Sequence, residues 1–156
     1  MRSITFVLTG ILILLALCRT SGRAQEKGFG LGIVMGEPTG VSMKGWTTET
    51  NAIDAGVAWS FRSASSFHLH ADYLWHNYGV FRTAERIPLY YGIGGRVKIG
   101  RQGEDTRFGI RVVVGVDYEA RSAPVDVFLE LAPVMDLTPG TELTANGGLG
   151  VRFWFR

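Results

Sequence analysis

The stretch Phe67-His68-Leu69-His70-Ala71-Asp72-Tyr73-Leu74-Trp75 decides the fold. Phe67, Leu69, Ala71, Tyr73 and Trp75 fall on odd positions, and His68, His70 and Asp72 on even ones. Successive side chains of a β-strand point to opposite faces, so this period of two describes a strand with one apolar and one polar face. The pattern recurs eight times, over residues 28–35, 41–46, 52–61, 67–75, 89–99, 108–118, 125–132 and 147–155. Turn-forming residues separate the segments, among them Glu37-Pro38-Thr39-Gly40, Thr48-Glu49-Thr50-Asn51, Arg62-Ser63-Ala64-Ser65-Ser66 and Thr138-Pro139-Gly140. No window after residue 24 shows sustained helical spacing, and no linker divides the chain.

Sorting the eight segments by face gives two contrasting sets. The apolar face collects Ile53, Val57 and Trp59, Leu89, Tyr91 and Ile93, Ile110, Val112 and Val114, Val127, Leu129 and Leu131, and Leu149, Val151, Phe153 and Phe155. The opposite face collects glycines, such as Gly30, Gly32, Gly56, Gly92, Gly94, Gly115, Gly148 and Gly150, together with charges. Its acids are Asp54, Asp72, Asp117, Asp126 and Glu130, and its bases are Lys44, Arg96, Lys98, Arg111 and Arg152. Large apolar side chains in such number would overfill the interior of an eight-stranded barrel, whereas glycines and charges suit a tight one. The sequence therefore reads as an all-β, antiparallel up-and-down transmembrane β-barrel of about eight strands, apolar outside and polar inside. Aromatic residues near the strand ends, Tyr73, Trp75, Tyr91, Tyr118, Phe153 and Phe155 on one side and Trp59, Phe61, Phe67 and Phe108 on the other, fit two interfacial belts. The alternation also allows the opposite arrangement, a soluble periplasmic barrel binding an apolar ligand in the manner of a lipocalin.

The N-terminus supplies an address. Arg2 precedes a run of apolar residues from Ile4 to Cys18, Arg19 ends it, and Gly22-Arg23-Ala24 offers small residues before Gln25. This is the three-part pattern of a secretory signal peptide, so residues 1–24 are expected to be removed after export by the Sec route and 25–156 to form the barrel. The run is short for a spanning helix. Leu15-Ala16-Leu17-Cys18 resembles a lipoprotein box, but Leu17 is not the small residue that box requires. The net charge of +2 also belongs to the leader. Beyond residue 24 there are 13 basic and 14 acidic residues and no basic cluster, which excludes a nucleic-acid-binding surface. One cysteine excludes a disulfide framework.

The leader, the eight alternating segments and the ending Gly147-Gly148-Leu149-Gly150-Val151-Arg152-Phe153-Trp154-Phe155 resemble the small outer-membrane β-barrels of the OmpA/OmpX type. Asn146, Gly148, Val151 and Phe153 match the spacing of the C-terminal signal by which such strands are recognised for insertion; Arg156 departs from it. Residues 30–40, 71–78, 89–96 and 126–139 are similar to an uncharacterised outer-membrane β-barrel family first noticed in spirochaetes. The resemblance implies a bacterial outer-membrane location, outer-membrane lipid and the barrel-assembly machinery as partners, a monomer, and a structural, narrow-pore (porin-like) or surface-binding role.

Candidate chemistry is sparse. His68, His70 and Asp72 share a strand face and form the one candidate metal set, against the plainer reading of three ordinary lumen residues. No cofactor is expected: Gly28-x-Gly30-x-Gly32 lacks the dinucleotide spacing, and Walker and G-x-S-x-G sequences are absent. A lipid-modifying barrel enzyme needs an outward His-x-Ser pair, whereas His68 and His70 face inward and Asn77-Tyr78 follow His76, so the chain is read as no enzyme. The ten lumen charges predict a network of ion pairs, since buried charges must be paired to be tolerated. Two expectations concern the faces and the ends. Charge at outward Val114 should impair assembly, and Gly115→Ala in the lumen should be milder. Connections 37–40, 62–66, 100–107 and 134–144 should lie opposite the termini, with 47–51, 76–88 and 119–124 on the termini's side. The longest connection, 76–88, then falls on the side where short turns are usual, which implies either longer flanking strands or a miscounted strand.

Overall fold

The structure, a computed structural model, describes residues 28–60, 66–100 and 105–155. The leader with Cys18, Phe61, positions 62–65 and 101–104, and Arg156 lie outside the described residues. The strands are β1 (Phe29–Glu37), β2 (Thr39–Trp46), β3 (Asn51–Ser60), β4 (Ser66–Asn77), β5 (Leu89–Ile99), β6 (Arg107–Glu119), β7 (Val125–Thr138) and β8 (Glu142–Phe155). Each pairs antiparallel with its sequence neighbour, and β1 pairs with β8 from Phe29↔Phe155 to Glu37↔Gly147, closing the barrel. Closure leaves no unpaired strand edge. The described residues contain no helix long and apolar enough to cross a membrane, which bears on helices only.

Two strands outrun their sequence reading, and the expected 134–144 connection is not a loop. β7 continues to Thr138 and β8 begins at Glu142, with pairs Val134↔Thr144, Met135↔Leu143 and Asp136↔Glu142. Only Pro139, Gly140 and Thr141 link them. Pro133 hides this extension, because proline reads as a breaker within a strand. Lacking an N–H, it lies where the β6–β7 ladder has no registered partners, between Arg111↔Val134 and Val114↔Leu131. Alternation nonetheless runs through it, with Ala132, Val134 and Asp136 buried and Pro133, Met135 and Leu137 exposed.

The first turn is also tighter than expected. Only Pro38 separates β1 from β2, and the Thr39 hydroxyl both donates to the Gly36 carbonyl at 2.9 Å and accepts from the Gly36 N–H at 3.2 Å. The long connection at the termini's end, by contrast, is real. β4 extends only to Asn77, and residues 78–88 bridge to β5 without the strand count changing.

Burial is inverted relative to a water-soluble protein. Arg152 is 1% exposed and Lys44 and Asp117 0%, while Ile93 is 52%, Leu129 60% and Phe153 48% exposed. The lumen also holds a compact apolar cluster of Leu74, Tyr90, Val113, Phe128 and Ala132, with Val34 against it, which the charge-based reading of that face omits.

Candidate functional site

The lumen gathers chemically capable side chains because every strand directs alternate residues inward. Toward the termini, Arg152 is the hub. Its Nε donates to Asp126 at 3.1 Å, and its Nη atoms donate to Asp54 at 3.3 Å, Asp117 at 3.3 Å and Ser42 at 3.3 Å. Lys44 Nζ adds a 2.8 Å ion pair to Asp117. Halfway along, Arg111 Nε donates to Asp72 at 2.7 Å, its Nη2 reaches Glu130, and the Tyr90 hydroxyl donates to Glu130 at 3.0 Å. Toward the loops opposite the termini, hereafter the loop end, Arg96 Nη2 chelates Asp136 at 2.7 and 2.8 Å. Its Nη1 donates to Asn146 at 3.1 Å.

Lys44, Asp54, Asp72, Arg96, Arg111, Asp117, Asp126, Glu130 and Arg152, all singled out from sequence, sit in ion pairs or hydrogen bonds across the lumen. Lys98 is half-buried on the same face and lies opposite His68 in the register. Sequence reasoning missed Asp136, Asn146 and Ser42. The signal for Asp136 was available, since it continues the even-numbered series Asp126, Phe128, Glu130, Ala132 and Val134 past Pro133.

The metal candidates are on the expected face but are not brought together. Asp72 is held by Arg111, and His68 Nε2 lies 3.0 Å from Ser66 Oγ. The His70 ring occupies the space above Gly56. Among the described residues no three His, Cys, Asp or Glu side chains are placed to hold a metal ion.

Lumen glycines are filled, not slack. A Cβ on Gly150 would lie 2.2 Å from the Phe128 ring, one on Gly56 2.4 Å from His70, and one on Gly115 2.3 Å from the Tyr90 ring and 2.6 Å from the Leu129 carbonyl. Each glycine makes room for a large side chain from a neighbouring strand. Gly115→Ala, expected to be milder than charge at Val114, therefore still carries an overpacking cost, because the added methyl meets the Tyr90 ring and the Leu129 carbonyl. Packing large against small closes the interior of an eight-stranded barrel to a wide aqueous path.

At the termini's end an aromatic layer caps the charges. Trp46 packs against His76 with tilted rings whose centroids are 4.4 Å apart and stacks on Trp154 at 6.1 Å, while His76 lies 5.3 Å from Tyr90. Lys44 Nζ sits 5.0 Å from the Trp46 ring centroid and 5.1 Å from that of Tyr90, a cation–π arrangement. Trp154 Nε1 donates to Asp126 at 3.0 Å. Outside the cap lies a cleft of about 740 Å³ lined by Trp46, Trp154, the 78–87 connection and residues 119–125. Glu119 pins that connection: it accepts from the Tyr78 hydroxyl at 2.6 Å and pairs with Arg86 at 2.9 Å. Burial, then the Glu119 carboxylate, pushes the Tyr78 phenol above its ordinary value.

The fold and lumen define the class, an eight-stranded up-and-down β-barrel with a charged, filled interior. Two solved structures share the fold. The N-terminal β-barrel domain of Pseudomonas aeruginosa OprF is similar with a TM-score of 0.57 and 15% identity, over 81% of this chain and 95% of that one. Neisserial surface protein A (NspA) is similar with a TM-score of 0.56 and 15% identity, over 81% of this chain and 93% of that one. The resemblance to small OmpA/OmpX-type barrels therefore holds for the fold. No family model matches the chain, and no curated protein matches it in sequence.

Proposed function

We propose that this chain is an integral β-barrel of the bacterial outer membrane with a narrow, side-chain-filled lumen, serving a structural or narrow-pore role. One observation carries the reading: fully buried Arg152, Lys44, Asp117 and Asp126 inside a wall of exposed Ile, Leu, Val and Phe. In water such a wall would cost roughly 25 cal/mol for each Å² of apolar surface left exposed, a cost that a bilayer removes. Seven of the eight strands have nine to fourteen residues, the tilted length that a bilayer requires, and β2, with eight, is the shortest. The outward-facing aromatics cluster as interfacial anchors do: half-buried Tyr73 packs edge-on to Trp75, Trp75 stacks on Tyr91, and Phe153 meets Phe155, all near the termini's end. The leader supports export, and the fold likeness supports the same reading.

The lipocalin-like alternative requires a hollow apolar interior, whereas here salt bridges and packed rings fill it. A lipid-modifying enzyme requires a reactive pair facing lipid, and His76 instead lies inside, between Trp46 and Tyr90. The reading involves no catalytic group and no cofactor. Its partners are outer-membrane lipid and the barrel-assembly machinery, which the Asn146–Phe153 spacing would engage, and the barrel acts as a monomer. Cell fractionation tests it. The protein should stay with membranes through carbonate extraction and migrate faster on gels unheated than boiled. Recovery in the soluble periplasmic fraction would overturn the proposal.

A further inference from the structure

The 78–88 connection is long on a side of the barrel where short turns are the rule, and it is held in place. Besides the Tyr78 and Arg86 contacts of Glu119, the Glu119 N–H donates to the Arg86 carbonyl at 2.9 Å, and Arg121 Nη2 donates to the Ala84 carbonyl. So fixed, the connection walls the cleft of about 740 Å³ at the termini's end. That volume lies within the range of roughly 300–1,000 Å³ usual for small-molecule sites. The half-buried rings of Trp46 and Trp154 line the cleft together with exposed Phe81. Both indoles are held, Trp154 by its bond to Asp126 and Trp46 by packing on His76. A wall ordered in advance spares a ligand the cost of ordering it.

We propose that this cleft binds a short, uncharged oligosaccharide. Glu85 and Glu119 line it beside Arg86 and Arg121, so an ion of either sign meets a like charge there. An organic cation is opposed at the rings as well. Lys44 Nζ already sits 5.0 Å from the Trp46 ring centroid, and the Arg86 guanidinium 5.1 Å from that of Tyr78. An extended peptide would add to open main-chain groups. Around the cleft such groups bond one another instead: Ala120 N–H to the Val125 carbonyl at 3.0 Å, Val125 N–H to Ala123 at 2.8 Å and Trp154 N–H to Pro124 at 2.8 Å. A pyranose ring has the complementary surface. Its C–H face packs on indole and phenyl rings, which offer large apolar area at little cost in side-chain entropy. Its hydroxyls both donate and accept, which suits carboxylate acceptors set beside guanidinium donors. The inference rests on the fold at the termini's end and not on the membrane address.

The test uses the refolded full-length mature chain in a detergent without a sugar headgroup, since a glycoside detergent would compete. Tryptophan fluorescence is followed during titration with N,N′-diacetylchitobiose and, separately, with maltotriose. At least one of them should change the emission to saturation, and the tighter of the two tells an acetamido sugar from a plain glucan. Phe81→Ala and Glu85→Ala, both on the exposed connection, should each weaken binding about tenfold, through the loss of a stacking surface and of a hydrogen bond to a charged group. Phe81→Tyr keeps the ring and should bind as the parent does, which separates stacking from the shape of the connection. Glu142→Gln, at the loop end, should leave binding unchanged. Unheated gel mobility verifies folding. The proposal is overturned if neither glycan gives a saturable change, if Phe81→Ala or Glu85→Ala binds as the parent does, or if Phe81→Tyr loses as much as Phe81→Ala. Saturation of the same signal by tetra-alanine or inorganic phosphate in place of the glycans overturns it too.

Discussion

Replacing Arg152 by methionine keeps the volume of the hub and removes its charge. Three buried carboxylates depend on it. Asp117 retains Lys44 at 2.8 Å, but Asp54 is left with the Ser42 hydroxyl at 3.4 Å and Asp126 with the Trp154 indole N–H at 3.0 Å. Neither of those is a cation. Removing one partner of a buried ion pair costs about 3–5 kcal/mol, because the other charge stays desolvated without compensation. The guanidinium also sits 3.9 Å from the Phe128 ring centroid, so a cation–π contribution of about 2 kcal/mol is lost with it. Against a typical domain stability of roughly 5–15 kcal/mol, a loss near 5 kcal/mol should move the urea midpoint of the folded barrel far down or prevent refolding. The assay is reversible urea titration in lipid vesicles, with the folded fraction read from unheated gel mobility. Asp126→Asn added to Arg152→Met should recover part of the loss by removing one orphaned charge. A loss under about 1 kcal/mol, the range of exposed pairs, would refute the reasoning, as would a double variant less stable than the single one.

Gly115→Ala should cost about 1–3 kcal/mol by overpacking against Tyr90, and Val114→Arg about 2–4 kcal/mol at the lipid face, both read from the same titration. An unchanged midpoint for Gly115→Ala would show that Tyr90 can move aside. Glu119→Gln should loosen the 78–87 connection and speed tryptic cleavage after Arg82 without changing the barrel's urea midpoint. The raised Tyr78 phenol keeps its proton in the folded state, so its contribution is full below the ordinary phenol value of 10.0 and declines as pH rises beyond it; cleavage after Arg82 should accelerate only above that pH. On intact cells, protease should cut a tag inserted at Gln102 and spare one at Thr83; the reverse would invert the orientation.

The sequence by itself determined the strand count, the antiparallel order and which face is charged. A period of two assigns every residue of a strand once one residue is assigned, and Phe67 to Trp75 or Phe108 to Tyr118 suffices. It also named ten lumen charges, because a charge on a glycine-rich face of a closed sheet can point only inward. It stopped short wherever one residue contradicted its neighbours: Pro133 concealed the last six residues of β7, and with them Asp136. Partnership was the property of the tertiary structure alone. Arg152 meets Asp54, Asp117 and Asp126 from three other strands because closure and register set which side chains share a height in the lumen, and no local pattern encodes that. The same holds for Gly115, which alternation marks merely as small and inward. Only the fold shows that the Tyr90 ring, brought over from β5, occupies the space a methyl would need.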